Sequence, residues 1–134
     1  MIDGLRLVRS AIVVADLDRA VAFYERFGFE ERARTQIGSA AAIAVLGIPG
    51  EPSRLQLTQP LDEPRRAGGG AYFVLEVGDL DAALAQLRLA SIEPASIPPA
   101  DVAHGTRTAV FRDPDGFGVE LMQRVPRVEP AGGG

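Results

Sequence analysis

The chain has no cysteine, no lysine and no tryptophan, and only one histidine, His104. Without thiols there is no disulfide, no cysteine nucleophile and no thiolate metal site. All 14 basic residues are arginine, which removes Schiff-base lysine chemistry. A single imidazole excludes any site that needs two histidines from one chain. No apolar run approaches the roughly 18 residues of a membrane-crossing helix, and the N-terminus lacks a basic region followed by a continuous apolar core. A soluble, cytoplasmic protein is expected. The net charge is -4 and the arginines are scattered singly apart from Arg65-Arg66, so nothing resembles a stripe that tracks phosphates. Nucleic acid and membrane are therefore not expected partners.

What is present supports a packed core. A chain of 134 residues with 46% hydrophobic content can bury about two thirds of its unfolded surface without metals or disulfides. Leu5 to Val14 reads as a strand, with Val8, Ile12 and Val14 on one face and Leu7, Arg9, Ala11 and Val13 on the other. Asp16 suits the N-cap of a helix in which Leu17, Ala20, Val21, Tyr24 and Phe27 recur at helical spacing, and Gly28 supplies the left-handed stop. Strands are predicted over Phe29 to Thr35, Ala40 to Ile48 and Arg54 to Thr58. The Pro- and Gly-rich segment from Gln59 to Gly70 reads as a surface linker.

Beyond it the pattern restarts: a strand over Tyr72 to Val77, a helix over Asp79 to Ala90, then strands near Ile92 to Ile97, Thr106 to Arg112 and Phe117 to Gln123. The restart is a repeat. An offset of 63 residues pairs Val14 with Val77, Asp16 with Asp79, Leu17 with Leu80, Asp18 with Asp81, Ala20 with Ala83, Ala22 with Ala85 and Glu30 with Glu93. The chain is thus read as α+β: a first βαβββ module over 1–60, a linker over 61–70, a second βαβββ module over 71–124 and a disordered tail over 125–134.

The second module ends in the most informative stretch. Asp113, Pro114 and Gly116 supply the acid, the fixed φ and the Cβ-free residue of a tight turn, so the strands around them fold back on each other. After the turn, Phe117, Val119 and Leu121 alternate with Gly118, Glu120 and Met122, which turns the carboxylate of Glu120 away from the apolar face. Leu55-Gln56-Leu57 stands in the same place in the first module, once a one-residue length difference is allowed. Gln56 therefore mirrors Glu120, and Arg9 mirrors Tyr72. These four side chains should converge on one sheet face.

The stretch Val14-Ala15-Asp16-Leu17-Asp18-Arg19-Ala20-Val21-Ala22-Phe23-Tyr24 resembles the first-helix signature of the vicinal oxygen chelate superfamily, which includes glyoxalase I, bleomycin-resistance proteins, fosfomycin-resistance enzymes and extradiol dioxygenases. Asp113-Pro114-Asp115-Gly116 followed by Val119-Glu120-Leu121 is similar to its last-strand signature. The resemblance runs from about Leu5 to Gln123. It implies paired βαβββ modules that curl into a cupped mixed sheet with helices outside, a glyoxalase-like fold. It also implies a homodimer, and in metal-dependent members a divalent ion held from the first and last strands of each module. Here those places correspond to Arg9, Gln56, Tyr72 and Glu120. Arginine does not deprotonate in a protein and a neutral phenol is a weak donor, so only Glu120, supplemented by Gln56, is a credible ligand.

No metal or other cofactor is therefore expected. The expected ligand-binding residues are Arg9, Val13, Gln56, Tyr72, Val74, Glu120 and Met122, an apolar wall with a few polar anchors that suits a small organic molecule. The leading reading is a metal-independent protein that binds a partly apolar compound, anionic ones included, such as an antibiotic or secondary metabolite. If the chain is an enzyme, Glu120 or Glu76, raised in pKa by burial, is the candidate catalytic base of a lyase or isomerase. One alternative is a metal-dependent lyase, isomerase or dioxygenase using Glu120 and Gln56, helped by water, by His104 or by a neighbouring chain. A second alternative is a structural or interaction module.

Overall fold

Two segments of alternating strand pattern each place a helix between their first and second strands, and the computed structural model, which describes residues 3–4, 8–62 and 72–128, resolves them as two units, Met1–Gly68 and Gly69–Gly134. In the first unit β1 is Ser10–Val13, α1 is Leu17–Glu25, β2 is Glu30–Ile37, β3 is Ala41–Gly47 and β4 is Arg54–Pro60. The sheet order is β1-β4-β3-β2, with β1 parallel to β4 and the other pairs antiparallel. In the second unit β5 is Tyr72–Glu76, α2 is Leu80–Leu89, β6 is Thr106–Arg112 and β7 is Gly118–Arg124. Its sheet order is β5-β7-β6, with β5 parallel to β7 and β6 antiparallel to it. The class is mixed α+β: two mixed sheets and two helices.

Each helix begins as its sequence dictates. Asp16 accepts from Arg19 N at 3.0 Å and Asp79 from Ala82 N at 3.1 Å, each satisfying one of the amides that a helix start leaves orphaned. Gly28, at φ 107, turns the chain out of α1. Leu17, Ala20, Val21, Phe23 and Tyr24 are the buried stripe of α1 and meet the apolar sides of β3 and β4, where Ala44, Leu46, Leu55 and Leu57 are buried. Phe27 is half-buried and packs its ring 5.2 Å from that of Phe23. In the second unit Leu80, Leu84 and Leu87 of α2 are buried, and so are Ala109, Phe111, Val119 and Leu121 of β6 and β7, the strands that α2 contacts. Each sheet therefore has one face covered by its own helix and one that the helix leaves open.

Three expectations need correction. Val8, assigned to the apolar face of the first strand, is 64% exposed and precedes β1. The strand expected over Ile92 to Ile97 does not form: only Ser96 pairs, in an isolated bridge with Val110. Pro94, Pro98 and Pro99 lack the N–H groups that a ladder needs, and they interrupt every attempt at one. Val125 to Val128, placed in the tail, are instead tied down by Val125 N to Gly105 O at 2.8 Å and Val128 N to Val102 O at 2.8 Å. Leu5 to Leu7, most of the linker including Arg65-Arg66, and residues 129–134 lie outside the described residues.

Candidate functional site

Register decides which side chains share a face. In the second unit Tyr72, Gly118 and Arg112 lie in one row across β5, β7 and β6, Val74, Glu120 and Val110 in the next, and Glu76, Met122 and Thr108 in the third. Because successive residues of a strand alternate sides, these nine positions all fall opposite the face buried under α2. Tyr72, Val74, Glu76, Glu120 and Met122 thus share the open face of the second sheet, as their spacing predicts. Tyr72 and Val74 are 63% and 49% exposed, which makes this face accessible to a ligand.

The hairpin that aligns β6 with β7 is built by Asp113. Its carboxylate is buried and accepts from Asp115 N at 2.9 Å and Phe117 N at 2.8 Å. Gly116 takes φ 88 and donates its N–H to Asp113 O at 3.0 Å. The acid and the glycine of the turn therefore fix where Gly118 and Glu120 fall in register.

A cavity of about 310 Å³ opens on this face, lined by Tyr72, Val110, Arg112, Gly118 and Glu120. Its volume is at the small end of the roughly 300–1,000 Å³ of ligand pockets. Glu120 is half-buried, and among the described residues its carboxylate has no hydrogen-bond or ion-pair partner. Glu76 is different: it is exposed, and it accepts from Arg124 Nε at 2.6 Å. Arg112 and Val110 were not singled out from the sequence. Their signal was available, since counting back from the turn puts Arg112 opposite Gly118 and Val110 opposite Glu120.

The open face of the first unit has the same plan with different chemistry. Ala11, Gln56 and Val45 form one row and Val13, Thr58 and Ile43 the next. Arg9 precedes β1 and donates through Nη1 to Gln56 Oε1 at 3.2 Å, and Gln56 Nε2 donates to Thr58 Oγ1 at 3.1 Å. Arg9 and Gln56 are thus brought together, but on the first sheet, while Tyr72 and Glu120 lie on the second, so the four do not share one sheet face as expected: the duplicated module builds a separate sheet in each unit. As donors to a divalent ion these four residues fit poorly. The one amide oxygen of Gln56 already faces a guanidinium, which would repel the ion, and a phenol is a weak ligand. Among the described residues no three His, Asp or Glu side chains gather as a metal would need.

His104 stands apart from both faces. It is 77% exposed, and its Nδ1 lies 2.9 Å from Asp101 Oδ2 in the loop before β6. The hydrogen bond with His104 holds the Asp101 carboxyl below its ordinary range, helped by the backbone N–H of the same residue.

Each unit also repeats, within itself, a hydrogen bond that no motif announced. Gln59, at the end of β4, accepts from Leu17 N at 2.8 Å, and Gln123, at the end of β7, accepts from Leu80 N at 2.8 Å. Each ties the strand that carries the polar site residue to the first turn of its helix. The sequence signal was the same offset that pairs Gln56 with Glu120.

Comparison with known proteins agrees with this architecture. TnmS3, an antibiotic binding protein from Streptomyces sp. CB03234, superposes with a TM-score of 0.71 at 25% identity, over 92% of this chain and 99% of that one. UcmS2 superposes with a TM-score of 0.66 at 29% identity, over 88% of this chain and 97% of that one. A superfamily member from Sphaerobacter thermophilus DSM 20745 gives 0.71 at 26% identity, over 90% and 98%. Among curated proteins, none matches the sequence at a significant level. No helix of the described residues is long and apolar enough to cross a membrane. A family model matches residues 6–121, a span that takes in both helices and the Asp113 turn, and by that match the chain belongs to the Glyoxalase/Bleomycin resistance protein/Dioxygenase superfamily.

Proposed function

We propose that this protein binds a small, partly apolar organic compound without a metal ion, as a sequestering protein for an antibiotic or secondary metabolite. The observation that carries this reading is the open face of the second sheet. There a half-buried carboxylate without a partner among the described residues, Glu120, lines a cavity with an exposed phenol and an aliphatic wall. The Glu120 oxygens reach solvent, so they are available to a ligand that donates a charge-assisted hydrogen bond. Tyr72, Val74, Glu120 and Met122 are the proposed binding residues of the second unit's face, and Arg9, Val13 and Gln56 are those of the first unit's own face. TnmS3, a structural neighbour, is an antibiotic binding protein, which favours sequestration over turnover.

A proton-transfer role is the second reading, and it rests on Glu120. Glu76 is exposed and engaged by Arg124, so it lacks the burial that would prepare it as a base. One experiment separates the readings. A thermal-shift screen of antibiotics, neutral aromatics, aromatic acids and divalent cations should yield an organic ligand that raises the melting temperature, with no stabilisation by cations. The ligand should be recovered unchanged after long incubation. Stoichiometric metal in protein purified without chelator, lost in Glu120→Gln, would overturn metal independence. A converted ligand would instead establish the enzymatic reading.

A further inference from the structure

Two opposite charges share the cavity of the second unit and do not meet. Arg112 is opposite Gly118 in the β6-β7 ladder, and Glu120 is opposite Val110. They are diagonal neighbours, whose Cα atoms in an antiparallel pair lie roughly 7–8 Å apart. Long side chains can close such a gap, yet no ion pair joins them among the described residues. The one bond given to the Arg112 side chain is a long one, Nη1 to Gly116 O at 3.5 Å, and the Glu120 carboxylate has none. Elsewhere on the same open face a diagonal between the parallel strands β7 and β5 is closed: Arg124 reaches Glu76 at 2.6 Å.

Gly118 forms the floor between these charges. A Cβ built on it would lie 2.7 Å from Tyr72 Cβ and 3.3 Å from Arg112 Nη1, so the phenol stem and the guanidinium lean over bare backbone from either side. These two groups fill the space directly over Gly118, so a flat ring has its place on top of them. It can lie against the face of Tyr72, which is open to solvent, or against the planar guanidinium.

Resting on the binding reading above, we propose that the cavity takes a compact aromatic zwitterion. In this assignment an acidic group on the ring system is held by Arg112, a protonated amine at the far side is held by Glu120, and the ring packs on the exposed face of Tyr72. The guanidinium fork matches a carboxylate in two-point geometry. Glu120 supplies the acceptor for the amine. Val74 and Val110, which flank Glu120 in its row, close the apolar sides. The cavity of about 310 Å³ favours a compact ring compound over an extended chain.

The test is a titration of the full chain by calorimetry with para-aminomethylbenzoate, para-toluate, which lacks the amine, and the methyl ester of the first, which lacks the anion. The zwitterion should bind at least about tenfold tighter than either half-compound, the loss expected for one charge-assisted contact. Arg112→Gln should abolish the preference for acid over ester, and Glu120→Gln the preference for amine over methyl. Each variant should leave the other preference in place. Both side chains reach solvent, so folding is expected to survive, and thermal unfolding of each variant checks it. Equal binding of all three probes, or unchanged preferences in the variants, would overturn the zwitterion while leaving small-molecule binding intact. If no ring probe binds but another compound from the screen does, the zwitterion is again rejected. If nothing in the screen binds, the binding reading falls with it.

Discussion

The two units of this chain are alike where a helix meets its sheet and unlike where the sheet meets solvent. In both, an Asp caps the helix, Val14 N and Val77 N reach the last strand at Thr58 O and Met122 O, and a Gln on that strand holds the first amide of the helix. On the open faces the matched positions part company. Gln56 sits in a closed relay from Arg9 to Thr58, whereas Glu120 has an exposed phenol beside it and no partner among the described residues. A duplicated fold retains the contacts on which helix packing depends. The open face carries no such demand, so it can diverge and acquire a binding role in one half only.

Substitution at matched positions tests how deep this likeness goes. The largest effect is expected from Leu57→Ala and Leu121→Ala, at equivalent places on β4 and β7 and 0% and 3% exposed. Each should lower stability in denaturant titrations by about 2–5 kcal/mol, the usual result of emptying a leucine site. A large cost in one unit alone would break the comparison. Next come Gln59→Ala and Gln123→Ala, which each leave a helix amide without its acceptor and should cost about 1 kcal/mol. A loss confined to one of them would make the shared contact incidental.

The smallest effect concerns Asp18 and Asp81, a matched pair that takes different arginines: Arg34 from β2 and Arg107 from β6. The hydrogen bond from Arg107, and then its charge, hold the Asp81 carboxyl below its ordinary 3.8. A depressed acid stabilises the fold above its unfolded value and loses that contribution as pH falls through the folded one. The stability gap between the wild type and Asp81→Asn should therefore be small at neutral pH, where solvent screens this exposed pair, and should shrink once pH falls below about 3.8, vanishing as it passes the lower folded value. A gap that widens in acid would show that the sign is wrong.

Much of this was legible in the sequence because it is written locally. The caps at Asp16 and Asp79, the stop at Gly28, the Asp113 turn and the alternation through Val119, Glu120 and Leu121 each depend on a few adjacent residues. The repeat then carried Gln56 to the place of Glu120 before any coordinate was known. What escaped depends on pairing between distant strands. Ile92 to Ile97 has the apolar content of a strand, but Pro94 removes a donor inside it and Pro98 and Pro99 stop its extension, so that only the bridge between Ser96 and Val110 forms. β2 runs two residues further than its pattern, to Ile37, because β3 is there to pair with it as far as Ala41. Arg112 looked like a strand end, and only its place opposite Gly118 puts it on the face of Tyr72. Val8 looked apolar enough for a core, but it precedes the first paired residue of β1, and so nothing covers it.

Gly118 also sets how this surface can change. A larger residue there would displace the Tyr72 stem at once, since even a methyl group would sit 2.7 Å from it. Laboratory selection for new ligands should therefore leave this position alone and draw its winners from Tyr72, Val110 and Arg112, where size and charge can be exchanged without forcing the backbone apart. The scope for retuning lies in three replaceable side chains around one invariant seat.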